Sequence, residues 1–152
     1  MAKSVNHGNV LTAVMEDYLE AIYHIVRERG YARSTQISLR LGVHKSTVTT
    51  ALHWLQTHGF IDYAPYRDVT LTPKGVKEAE GIVKRHDILF RLLHQLLLVE
   101  EKEASKLACD MEHALTPDIA DRFIPLVEAA LQKALRDQSP AKKRSGEHTK
   151  GK

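Results

Sequence analysis

The sequence predicts a mainly α-helical chain: an N-terminal winged helix-turn-helix with a two-stranded wing, then a C-terminal helical dimerisation domain. Three observations lead there. Two short helical segments within residues 32–60 meet at Gly42, two β-rich pieces follow at once around Pro65, and from Thr72 onward apolar residues recur at helical spacing. The chain divides accordingly into a flexible N-terminus (1–10), a winged helix-turn-helix (11–74), a helical dimerisation unit (75–137) and a disordered basic tail (138–152).

In chain order, Leu11 to Arg29 place Val14, Tyr18, Ile22 and Ile25 on one helical stripe, with Thr12 as cap and Gly30 as stop. The neighbouring edge presents Asp17, Glu20 and His24, spaced by three and four residues, which is either a solvated face or part of a ligand set. Ser34-Thr35 is expected to cap a short helix through Leu41, and Gly42 to turn the chain. A second helix is expected from Ser46-Thr47 to His58, ended by Gly59. Ile37, Leu41, Val48, Leu52 and Leu55 supply the packing faces.

In a helix-turn-helix the second helix enters the DNA major groove, and its early residues meet base edges and phosphates. The candidate DNA contacts are therefore His44, Lys45, Ser46, Thr47, Thr49 and Thr50, with Ser34 and Thr35 on the preceding helix. The alternative is a plain helical hairpin with polar residues facing water. Phe60 to Tyr63 and Val69 to Thr72 read as the hairpin of the wing. Arg67 near its tip is the candidate phosphate contact, or else it pairs with Asp68 at an exposed turn.

Thr72-Pro73 opens the next helix with Pro at its first position, and Gly75 and Gly81 leave room for a bend before His86. From Ile88, the leucines at 89, 92, 93, 96 and 97 make a broad stripe that must be covered. A helix follows Val99-Glu100. Thr116-Pro117 then starts the last one, with Ile119, Phe123, Leu126, Val127, Ala130 and Ala134 on one face and Pro125 expected to kink it. That is more apolar face than one copy of a small domain is expected to hide, which points to a homodimer, the alternative being burial of the stripe as plain core within the chain. Twofold symmetry would also suit half-sites about one turn of DNA apart.

The composition of the 152-residue chain excludes several classes. Hydrophobic residues make up 43%, enough for a core without staples, and one Cys allows no internal disulfide. No apolar run approaches the roughly 18 residues that cross a bilayer, and Met1 to Val10 do not form a secretory signal, so a reducing cytoplasm and no membrane partner are expected. The net charge of +3 permits nucleic acid without demanding it. No HExxH run, nucleophile motif or phosphate-cradling loop is present, so no enzyme is expected.

One short run carries distinctive chemistry. In Cys109-Asp110-Met111-Glu112-His113, a helix would bring Cys109, Glu112 and His113 to one edge. Thiolate, carboxylate and imidazole together suit a first-row transition metal better than magnesium or calcium. A small buried Cys beside a solvated Glu-His pair is the plain alternative.

The order of parts completes the reading. Met15-Glu16-Asp17-Tyr18-Leu19-Glu20, Gly30-Tyr31-Ala32-Arg33, Leu71-Thr72-Pro73-Lys74-Gly75, Arg85-His86 and Glu112-His113 together resemble the DtxR/MntR family of metal-dependent repressors, over roughly residues 12 to 135. The resemblance implies a dimeric repressor that binds double-stranded operator DNA when Mn(II) or Fe(II) occupies a site between its two domains, with Co(II) or Zn(II) able to substitute in vitro. It implies as ligands Asp17, Glu20, His86, Cys109, Glu112 and His113, with Cys109 binding through its thiolate or through its backbone carbonyl alone. Cys109 departs from the manganese-type pattern, which has Glu there, and Asp17 from the iron-type pattern, which has Met. Phe90 and Ser105 stand where an ancillary iron-type site has ligands, and no SH3-like domain is expected after the helices. The competing reading is a metal-independent winged-helix regulator that senses an oxidant through Cys109 or binds an organic ligand.

Overall fold

A computed structural model of the chain describes residues 11–64 and 67–137. The expected flexible N-terminus and basic tail lie outside the described residues, as do Pro65 and Tyr66 in the wing turn. Helix α1 (Ala13–Arg29) begins where Thr12 Oγ1 accepts from the Met15 N–H, and ends at Gly30, whose φ of 84° few other residues adopt. Tyr18, Ile22 and Ile25 are buried as expected, but Val14 is 57% exposed. It lies beyond the core, beside Ser46, Thr47 and Thr50.

Helix α2 (Ser34–Leu41) is capped differently from the expectation. Arg33 stands at the cap position, and the Gln36 side-chain oxygen accepts from its N–H at 2.9 Å. After Gly42, helix α3 (Lys45–Thr57) starts just ahead of Ser46-Thr47, because the His44 carbonyl already accepts from the Val48 N–H at 3.2 Å. Strands β1 (Ile61–Asp62) and β2 (Thr70–Leu71) pair antiparallel, Ile61 opposite Leu71 and Asp62 opposite Thr70. This ladder is shorter than the expected four-residue pieces, since Val69 pairs with Ala32 ahead of α2 rather than with the other arm of the hairpin. Asp68 pairs with Arg33 at 3.0 Å, so the expected Arg67–Asp68 alternative is replaced and Arg67 is exposed.

Helix α4 (Pro73–Arg91) begins at Thr72, whose hydroxyl accepts from the Gly75 N–H, and runs unbroken through both glycines. A π-helical turn (Leu92–Leu96) follows, and Leu98 has a φ of 57°. Helix α5 (Glu101–Glu112) is capped by the Glu100 carboxylate, which accepts from the Lys102 and Glu103 N–H groups. Helix α6 (Pro117–Asp137) continues through Pro125. Asp121 and Pro125 are both exposed, so water can reach the carbonyl that the missing N–H leaves free. The buried face of α6 is Ala120, Ile124, Val127 and Leu131, which shares Val127 with the stripe expected from the sequence, and Phe123 of that stripe is half-buried against the same cluster. Ile119 and Leu126 instead point outward, 51% and 72% exposed.

The apolar interior forms two clusters, and α4 belongs to both. Ala79 and Ile82 join Leu19, Ile22, Ile37, Leu52, Leu55 and Phe60 in the first. Ile88 and Leu89 join Leu93, Ala104, Ala108, Ile124 and Leu131 in the second. Between these two ends, the turn carrying Arg85 and His86 meets polar groups of α1 and α5. A single helix therefore sets the distance between the wing and the C-terminal helices.

The start of α4 presses on the chain that leaves α3. A Cβ built at Gly75 would lie 1.9 Å from the Phe60 carbonyl oxygen, whereas one at Gly81 meets nothing closer than Arg85 Nη1 at 3.8 Å. Gly75→Ala is therefore expected to destabilise by about 1–3 kcal/mol or more, and Gly81→Ala to be neutral or stabilising by up to about 1 kcal/mol. Urea denaturation of the two variants checks this contrast.

Candidate metal centre

The last turn of α5 points Cys109 and Glu112 towards α1 and α4, with His113 at its C-cap. Glu112 has no exposed surface. Its Oε2 receives the His86 Nδ1 at 2.7 Å, whereas its Oε1, also buried, has no hydrogen-bond partner and lies 3.8 Å from His113 Nε2. His113 is flanked by two acids of α1: Nδ1 is 2.6 Å from Glu16 Oε2 and Nε2 is 3.0 Å from Asp17 Oδ1.

All six residues expected as ligands converge here. Asp17, Cys109, Glu112 and His113 bring one donor atom each to within 4.8 Å of one another, and Glu20, His86 and Glu112 do the same. Glu112 is shared, so the two sets overlap. His24 pairs with Glu20 at 3.6 Å but belongs to neither set.

The electrostatics follow from crowding acids in a half-buried space. Burial raises the Glu20 pKa first, and the Glu112 charge raises it further. The His86 pKa is raised, chiefly by its hydrogen bond to Glu112. Burial alone would lower the pKa of His113, but the Glu16 hydrogen bond and the Asp17 and Glu112 charges outweigh it and the net shift is upward. Burial and the surrounding carboxylates push the Cys109 thiol up to about 11. The raised pKa values favour the charged form of both imidazoles beside the carboxylates.

Two residues of the site were missed in the sequence. Glu16 holds His113 and accepts from Arg85 Nη2 at 2.9 Å, and Arg85 Nε donates to the Glu112 backbone carbonyl at 3.2 Å. Both sit next to an expected ligand in sequence, at a spacing that helical periodicity assigns to a different direction.

A second functional surface lies across α2, α3 and the wing. Ser34, Thr35, Lys45, Thr49 and Arg67 line one cleft together with Arg33, His53, Tyr63 and Asp68. Ser46, Thr47 and Thr50 line a neighbouring one with Val14, Met15 and Tyr18, and His44 is exposed at the start of α3. The Thr49 and Thr50 hydroxyls donate back to the Lys45 and Ser46 carbonyls, which leaves their lone pairs as acceptors. Arg33 was not among the expected contacts, although it supplies a cation at the same cleft.

Comparison with known proteins bears on both surfaces. Residues 10–69 match the family described as iron dependent repressor, N-terminal DNA binding domain, and residues 72–137 match iron dependent repressor, metal binding and dimerisation domain. The HTH-type transcriptional regulator MntR of Geobacillus kaustophilus is 38% identical over 117 residues, which is 77% of this chain and 82% of that protein. An uncharacterized HTH-type transcriptional regulator of Methanocaldococcus jannaschii is 38% identical over 110 residues, 72% of this chain and 88% of that one. Among solved structures, T. acidophilum IdeR superposes with a TM-score of 0.65 at 27% identity, over 79% of this chain and 55% of its own. A manganese-dependent transcriptional repressor in complex with manganese gives 0.67 at 28% identity, over 78% and 52%. The chain spans about half the length of these two solved chains. No described helix is long and apolar enough to cross a membrane. The chain belongs to the DtxR/MntR family of metal-dependent transcriptional repressors, and is a metal-responsive DNA-binding regulator with an N-terminal DNA-binding domain and a C-terminal metal-binding and dimerisation domain.

Proposed function

We propose that this protein is a cytoplasmic repressor of metal-ion homeostasis that takes Mn(II) or Fe(II) as corepressor through Asp17, Glu20, His86, Cys109, Glu112 and His113. The observation that carries this reading is the buried Glu112 Oε1, which has no hydrogen-bond partner and lies at the overlap of two donor sets. A buried carboxylate oxygen without a partner is costly, and a cation is the simplest group to satisfy it. The donor set fits: carboxylates and imidazoles suit Mn(II) and Fe(II), and a Cys109 thiolate adds affinity for softer ions.

When bound, the cation supplies positive charge where α1, α4 and α5 meet. The residues do the rest. Asp17 and Glu20 belong to α1, whose Tyr18, Leu19 and Ile22 are locked in the first core beside Val48, Leu52 and Leu55 of α3. Drawing the two acids towards Glu112 therefore orients the whole reading head relative to α4 and the dimerisation helices. In the dimer this sets the spacing of the two α3 helices, the outward Ile119 and Leu126 supplying apolar interface. His44, Lys45, Ser46, Thr47, Thr49 and Thr50 then face the groove, while Ser34, Thr35 and Arg67 face phosphates. Oxidant sensing is disfavoured, because a thiol held at about 11 is the reverse of the thiolate that such chemistry needs.

The test is anaerobic binding to a panel of candidate operator DNAs at fixed salt, with a chelator, Mn(II), Fe(II) or Zn(II). Mn(II) or Fe(II) is expected to tighten binding manyfold, and the more effective ion identifies the corepressor. Glu112→Ala is expected to keep the dimer and weak non-specific DNA binding while losing metal stimulation; undiminished stimulation in that variant would falsify the assignment. Acidity supplies a further check. Since His86 and His113 hold protons above the ordinary histidine pKa of about 6.5, those protons must leave for the cation to bind. Apparent Mn(II) affinity should therefore rise with pH below the raised histidine pKa values, by up to roughly tenfold per pH unit for each proton displaced, and the imidazole contribution should level off above them, in a competition titration. A pH-independent affinity would contradict ligation by these imidazoles.

A further inference from the structure

His113 is gripped at both ring nitrogens, and the two grips differ in kind. On one side Nε2 faces the donor cluster, 3.0 Å from Asp17 Oδ1 and 3.8 Å from Glu112 Oε1. On the other, Nδ1 is 2.6 Å from Glu16 Oε2. Glu16 is not in either donor set, and both of its oxygens are already committed, the second to Arg85 Nη2 at 2.9 Å. Arg85 is itself buried and reaches the Glu112 backbone carbonyl with its Nε. One chain of contacts thus runs from α1 through α4 to the end of α5, behind the donor atoms rather than among them.

We propose that Glu16 and Arg85 are positioning residues of the metal centre: Glu16 fixes the His113 ring with Nδ1–H donated to its carboxylate and Nε2 presented to the cation, and Arg85 holds Glu16 and the last turn of α5 in register. The proposal rests on the metal reading above. A ligating imidazole that donates its other N–H to a carboxylate is held in one tautomer and orientation, and becomes a better donor. The planar guanidinium of Arg85 spans a side-chain oxygen and a backbone carbonyl on different helices, a geometry that a lysine ammonium on a flexible stem does not reproduce. Asp17 and Glu16 then tie α1 to the centre from both sides of the same ring.

The test uses the full-length wild type, Glu16→Gln and Arg85→Lys, titrated anaerobically with Mn(II) against a competing chelator and assayed on operator DNA over the same metal range. Both variants should keep the wild-type stoichiometry and lose affinity by roughly tenfold to a hundredfold. The metal concentration at half-maximal DNA binding should shift by the same factor, with the plateau unchanged. In protein labelled with nitrogen-15 at histidine and loaded with diamagnetic Zn(II), the His113 Nδ1 proton should be slow to exchange in the wild type and fast in Glu16→Gln. Wild-type metal affinity in both variants overturns the proposal. So does a lowered plateau with an unshifted midpoint, because a merely structural role would give that result. If either variant fails to fold in chelator, the Nδ1 proton of the wild type decides: rapid exchange there rejects the proposal. If the wild type binds no cation at all, the metal reading itself fails, an outcome separate from any difference among variants.

Discussion

A carboxylate with no exposed surface, Glu112, sits where α1, α4 and α5 meet, and the arrangement of the site depends on satisfying it. His86 covers one oxygen, and the other has no hydrogen-bond partner and lies 3.8 Å from His113 Nε2. Stripping a buried charge of its only partner costs about 3–5 kcal/mol, so the fold cannot leave this group without positive charge nearby. His86 and His113, whose pKa values are raised, stand beside the carboxylate, and Arg85 reaches the Glu112 backbone carbonyl.

That constraint reaches the DNA surface because acids and core residues alternate along α1. Asp17 and Glu20 face the centre, while Tyr18, Leu19 and Ile22 between and beyond them are buried in the first apolar cluster with α3. Helix α4 anchors one end in each cluster and carries Arg85 and His86 at the polar layer between them. A change in charge at the layer therefore acts on packed helices rather than on loops, and close-packed interiors pass such displacements on.

Much of this was legible in the sequence, for local reasons. Thr12, Gly30, Gly42 and Thr72-Pro73 mark helix boundaries through chemistry confined to a few neighbours, and they stand where the spacing put them. The Cys109 to His113 run needed only helical periodicity to bring its three donors together. The face of α6 was only partly legible, because the helix is apolar on two sides: Phe123 and Val127 of the expected stripe pack inward, but Ile119 and Leu126 satisfy the same period and turn outward, and only the tertiary packing says which side is buried. Glu16 and Arg85 could not be found by spacing, since Glu16 meets His113 across 97 residues and Arg85 across 69. The Arg33–Asp68 pair, 35 residues apart, escaped for the same reason.

On the metal reading proposed above, a divalent cation joins the histidines as the charge that holds α1 to α4 and α5. Amide hydrogen exchange at fixed pH, with chelator and then with saturating Mn(II), measures this most directly, because it reports local opening helix by helix. The account predicts slower exchange in α1 around Asp17 to Glu20 together with the end of α5 around Cys109 to Glu112, while Leu52 and Leu55 in the core of α3 change little. Protection confined to α5, with α1 exchanging at the same rate in both states, would contradict it.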